Sequence, residues 1–257
     1  MVDVDKRGWG MPAWLLGFVL LDLYANLVPR LVGFAIPAWL GYVAGFFLLV
    51  FMVCRYGLGL RSHDLGLHRP RGWLRWLAIG FVLGLGVWAL KNLVFLGIGK
   101  FELVAWREAA FALPMLAQAL LGMLLASAIN DVLVRGYGLA FCRRFGWMGV
   151  YVPLTAVVYA LDDGWNGGFD AINLVFSFVL GLSLAYTVLR TGTLWMSIGI
   201  HWGGNMFYRF MAGFDGNGVP VLERVVDGVR FDIVSIAITA LLLPLLVLTL
   251  RRTTPPG

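Results

Sequence analysis

Eight times between Met11 and Leu250 the chain runs through an apolar stretch close to the length that a bilayer demands. About 20 residues of helix, at roughly 1.5 Å each, cover the ~30 Å hydrocarbon layer. The stretches are Met11 to Val28, Phe34 to Val53, Trp76 to Ile98, Phe111 to Val134, Val150 to Leu161, Ala171 to Leu189, Leu194 to Ala212 and Ile233 to Leu250. The fifth is the shortest and ends in Asp162 and Asp163. Backbone in lipid must satisfy its own hydrogen bonds, so such stretches fold as helices. The expected fold class is all-α, a polytopic membrane bundle of about eight transmembrane helices. A mean hydropathy of +0.84 with 13% charged residues excludes a water-soluble globular enzyme.

The net charge of +6 would point to nucleic acid only if the basic residues formed a patch. They are sorted by side instead. With the N-terminus inside, the inner connections carry Lys6, Arg7, Arg55, Arg61, Arg69, Arg71, Arg75, Arg135, Arg143, Arg144, Arg190, Arg251 and Arg252. The outer ones carry Arg30, Lys100, Arg107, Arg209, Arg224 and Arg230. This bias places both termini in the cytoplasm. The expected location is the plasma (inner) membrane, with the lipid bilayer as a partner and no nucleic acid. Cys54 and Cys142 fall on the reducing side, so no disulfide is expected. Lys6 and Arg7 ahead of Ala13 to Leu21 have the outline of a signal peptide. No small-x-small cleavage site follows and Asp22 interrupts the run, so a retained first span is expected.

Three parts follow: residues 1–60 with two N-terminal spans, a basic segment over 61–75, and a transmembrane core over 76–257. The segment interleaves arginines with Leu65, Leu67, Trp73 and Leu74, and Pro70 and Gly72 break any long helix. It reads as an interfacial element, and His63 and His68 read as residues of a juxtamembrane linker. The pairs Gly41/Gly45, Gly80/Gly84 and Gly199/Gly203 mark places for close helix packing.

Ionisable groups within spans are costly and point to pairing or function. Asp22 and Lys91 stand singly in the first and third spans and read as structural partners across helices. The fourth span ends in Asn130, Asp131 and Arg135, the last two spaced i, i+4 for an ion pair on one face. The seventh carries His201 and Asn205, also i, i+4, which read equally as an interhelical hydrogen-bond pair or as a site. No HExxH, GxSxG or Walker pattern occurs, and Ser197 has no evident partner in the sequence, which disfavours a serine mechanism.

In this order these pieces resemble the CAAX-protease and bacteriocin-processing family of intramembrane peptidases. DLGLHRPRGWLRW resembles that family's lead-in to the third span, and TGTLWMSIGIHWGGN resembles its final His-x-x-x-Asn block. NDVLVRGYGL lies where the family has Glu-Glu-x-x-x-Arg-Gly, and VVYALDD where it has Phe-x-x-x-His. Arg135, Gly136, His201 and Asn205 match; Asn130 and Asp131 replace the glutamates, Tyr159 the phenylalanine and Asp163 the first histidine. The resemblance implies endopeptidase chemistry on membrane-tethered peptides or proteins, with the acids and histidines activating water and the asparagine assisting at the oxyanion. An amide has no basic lone pair, so Asn130 cannot serve as that base. Asp131, Asp163 and His201, with Asn205, form the implied catalytic set, and the first three the implied ligands of a zinc or manganese ion. Arg135 is expected to be structural within that site. Whether Asp162 and Asp163 lie in the site or in an outer loop stays open. Three readings remain at this stage: an endopeptidase with an altered acid/base set, a pseudoprotease that binds without cleaving, and a small-solute transporter with a polar path through Asp22, Lys91 and Asp131.

Overall fold

A computed structural model describes residues 10–33, 35–223 and 226–251. Lys6, Arg7, Arg224, Arg252 and Phe34, where the second span was expected to begin, lie outside the described residues. Among the described residues there are eight continuous helical rods, one for each apolar stretch. They are α1 (Met11–Val32), α2 (Ile36–Gly57), α3 (Trp73–Gly97), α4 (Ala109–Phe145), α5 (Tyr151–Gly167), α6 (Ala171–Thr191), α7 (Trp195–Ala212) and α8 (Val229–Thr249). All but α5 and α7 are long and apolar enough to cross a membrane by length and composition. Leu31, Leu93 and Leu121 are 82%, 65% and 65% exposed on the rods. Apolar surface of that extent faces lipid rather than water. The chain is an all-α integral membrane bundle.

Two rods run furthest past their apolar stretches. α4 continues past Val134 to Phe145 because a π-helical turn, Val132–Gly136, carries it through Arg135 without a break. α5 runs on through Asp162 and Asp163, so both acids are helical and neither lies in a loop.

The connections gather on two sides. On one, the amide of Leu194 donates to the Gly66 carbonyl at 3.0 Å, the Trp195 indole donates to the His68 carbonyl at 2.8 Å, and Arg190 donates to the Leu250 carbonyl. These are the connections expected to be inner. On the other, Arg30 donates to the Trp165 carbonyl, Lys100 pairs with Asp227 at 3.5 Å, and Arg107 donates to Asn217. A short antiparallel pair, β1 (Glu102–Trp106) with β2 (Pro220–Glu223), also forms there. The hydropathy pattern does not announce it, because both strands sit in connections.

Close approach of α3 and α7 is the tightest packing in the bundle. A methyl group on Gly84 would strike the Ile200 carbonyl, and one on Gly203 would strike the Phe81 carbonyl and come within 2.7 Å of the Leu85 nitrogen. Gly80 and Gly199 face each other in the same way, so both expected small-residue pairs meet across one interface. Gly45 packs on the Tyr24 hydroxyl, while a Cβ on Gly41 would meet no atom of another helix within 4 Å among the described residues. Lys91 is held by aromatic faces, its Nζ 4.4 Å from the Trp88 ring and 5.1 Å from that of Phe176.

Candidate active site

The π turn in α4 sets the geometry. An α-helix brings i and i+4 onto one face, whereas a π turn brings i and i+5 together. Arg135 accordingly donates from Nη1 to the Asn130 Oδ1 at 2.6 Å and stands 3.6 Å from Asp131. The expected i, i+4 ion pair with Asp131 is therefore present, and Asn130 is the nearer partner. The widened turn frees backbone groups, and the Tyr151 hydroxyl donates to the Arg135 carbonyl at 3.2 Å. The Arg135 guanidinium, fully buried, lies 4.0 Å from the Tyr159 ring, with Nε and Nη2 lacking a hydrogen-bond partner among the described residues. Gly136 lets the 61–75 segment close on α4, since a Cβ there would lie 2.9 Å from the Leu65 carbonyl.

Across the interface with α7, Asp131 is completely buried. Its Oδ1 accepts from the Ser197 hydroxyl and its Oδ2 lies 3.1 Å from the His201 Nδ1. Ser197 thus has a partner after all, one turn before His201 on the same helix. The His201 ring stands edge-on to Tyr159 at 5.8 Å, and its side chain is 10% exposed. One turn further, the Asn205 Nδ2 donates to the Ser127 hydroxyl at 3.3 Å.

From Asn130 the network continues into α5 and α1. Its Nδ2 donates to Asp162 Oδ2, and Asp162 Oδ1 accepts from Asn26 Nδ2 at 2.9 Å. Asn26 also lies 3.3 Å from the Asp22 carboxylate, which brings α1 into the cluster. Asp163, expected at the position of the family's first histidine, instead accepts from the Ser177 hydroxyl of α6 at 2.6 Å. Successive residues of a helix point about 100° apart. The acid that meets Asn130 is Asp162.

Asn26 and Ser127 are the members that sequence reasoning passed over. Asn26 carried a weak signal, i+4 from Asp22, and Ser127 carried none. Ser197 was discounted for want of a partner, and Asp162 stood open between the site and an outer loop.

These side chains do not form the three-donor set that a zinc or manganese ion needs. Both oxygens of Asp131 are engaged by Ser197 and His201, and Asp163 is turned to Ser177. Among the described residues no three His, Cys, Asp or Glu side chains converge as metal ligands. Lys91, on its aromatic faces, stands apart from the cluster that joins Asp22 to Asp131.

A buried acid-imidazole pair, an arginine and two amides are thus held between helices of an integral membrane bundle. Residues 112–207 match the family model for Rce1-like proteins, described as type II CAAX prenyl endopeptidase Rce1-like. Over that stretch the chain is similar to this family, in keeping with the motif resemblance, and the stretch holds the whole cluster apart from Asp22 and Asn26. No curated protein and no solved structure matches the chain.

Proposed function

We propose that the protein is an intramembrane endopeptidase of the plasma membrane, both termini cytoplasmic, that hydrolyses a membrane-tethered polypeptide with His201 as general base. The observation that carries this reading is the 3.1 Å contact between His201 Nδ1 and the buried Asp131 carboxylate. A carboxylate there holds the imidazole proton on Nδ1 and leaves the Nε2 lone pair as the base. Nε2 takes a proton from water as the water oxygen bonds to the scissile carbonyl carbon. Asp131 stabilises the imidazolium, which returns its proton to the amine nitrogen as the C–N bond breaks. Asn205 spends one N–H on Ser127 and keeps the other for the developing oxyanion.

One observation favours a second reading, in which polypeptides are bound and not cut. Asn130, at the family's general-base position, has its amide clamped between Arg135 and Asp162. The deciding experiment incubates purified protein in liposomes with a library of acyl-anchored peptides and reads the products by mass spectrometry. Cleavage that falls about 10²- to 10⁴-fold in His201→Ala supports the base assignment. Cleavage undiminished by that substitution removes it, and no cleavage by the unmodified protein, with peptides retained, establishes the binding reading.

A further inference from the structure

A groove of about 520 Å³ opens between α3, α7 and the end of α8, away from the cluster around Asp131. Arg71 and Arg75 stand at its mouth, and Trp76, Ile79 and Leu83 continue inward along α3 towards Met196 and Leu250. Both arginines are exposed, and neither has an acidic partner among the described residues. Arg69, beside them, is 5.2 Å from the Trp73 ring. The first turn of α3 has no side-chain cap, so the positive end of a 25-residue helix adds to the two guanidiniums.

We propose that this groove holds an anionic glycerophospholipid, its phosphate between Arg71 and Arg75 and one acyl chain along Trp76, Ile79 and Leu83. Charge and shape select this occupant together. Two unpaired cations beside an uncapped helix N-terminus ask for a phosphate. Below them the walls are aliphatic and aromatic, and Thr249 supplies the one side-chain hydroxyl in the lining. A polypeptide backbone would leave its polar groups unsatisfied there, whereas an acyl chain leaves none. The site is separate from the chemistry proposed for His201, since it shares no residue with that cluster.

The test is native mass spectrometry of the full chain in detergent micelles containing equal amounts of phosphatidylglycerol and phosphatidylcholine. Phosphatidylglycerol is expected to be retained in preference, and Arg71→Ala with Arg75→Ala to reduce that preference about 30-fold, from about 1 kcal/mol per arginine. Ile79→Trp, which fills the groove and leaves the charge alone, is expected to reduce retention as well. Equal retention of the two lipids overturns the proposal, as does an equal loss in Arg143→Ala with Arg144→Ala, which would reveal diffuse attraction. Displacement by millimolar inorganic phosphate would show a bare anion site and overturn it too.

Discussion

Nδ1 of His201 and Oδ2 of Asp131 lie 3.1 Å apart across the α4/α7 interface, with the acid fully buried. In the proposed hydrolysis this contact gives Asp131 an orienting role towards an imidazole that arrives from 70 residues further along the chain.

Asp131→Asn tests that role. An amide there can donate to Nδ1, which moves the imidazole proton to Nε2 and removes the lone pair facing water. Single-turnover cleavage should fall by about 10²- to 10⁴-fold, as for loss of the base itself. Ser197→Ala, which removes only the second partner of the acid, should keep the rate within about tenfold, on the order of a single hydrogen bond.

The bundle was legible because lipid enforces one secondary structure and apolar length reports it directly. The site was legible only where its residues obeyed α-helical spacing. His201 and Asn205 lie one turn apart in α7, as read. Arg135 was assigned to Asp131 on i, i+4 spacing, and the π turn gave Asn130 the shorter contact. Asp162 and Asp163 are adjacent, and helix rotation alone decides that one meets Asn130 and the other Ser177. Sequence does not fix that rotation, because both directions face other helices.

A charge exchange between Asn130 and Asp162 follows from their contact. Asn130→Asp alone sets two carboxylates against each other and removes the N–H that held Asp162, at a cost of about 1–3 kcal/mol. Adding Asp162→Asn returns a donor to face the new acid and should restore most of the lost stability. Thermal unfolding in detergent measures both variants. Losses that simply add would show that the two side chains are not coupled.

The glycine contacts between α3 and α7 set a packing limit. Gly84→Ala and Gly203→Ala each drive a methyl into a facing carbonyl and should cost about 1–3 kcal/mol. Gly86→Ala, on the same helix as Gly84 with nothing within 4 Å, should be neutral or stabilising by up to ~1 kcal/mol. Equal melting temperatures for all three would mean that the helices do not cross so closely.

The 61–75 segment should respond to acid. Burial, then the nearby His63 and Arg143, hold the His68 imidazole below its ordinary value of 6.5. A histidine depressed on folding leaves the native state with fewer protons than the unfolded chain. Its contribution is complete above 6.5 and declines as the pH falls below that value. Melting temperature should drop as the pH falls below 6.5, and His68→Gln should flatten that part of the profile. An unchanged slope in the variant would assign the acid sensitivity to other groups.

Arg135 ties the cluster together from the inside of the π turn. It donates to Asn130, faces Asp131 at 3.6 Å and lies on the Tyr159 ring, its own side chain out of contact with solvent. Arg135→Ala leaves the Asp131 charge without its cation and the Asn130 carbonyl without its donor, and should cost about 3–5 kcal/mol. Lysine keeps the charge but has neither the planar fork nor the stacking face, so Arg135→Lys should recover only part of that loss. Full recovery by lysine would mean that charge alone holds α4 to α5. An undiminished melting temperature in Arg135→Ala would mean that the turn stands without its arginine.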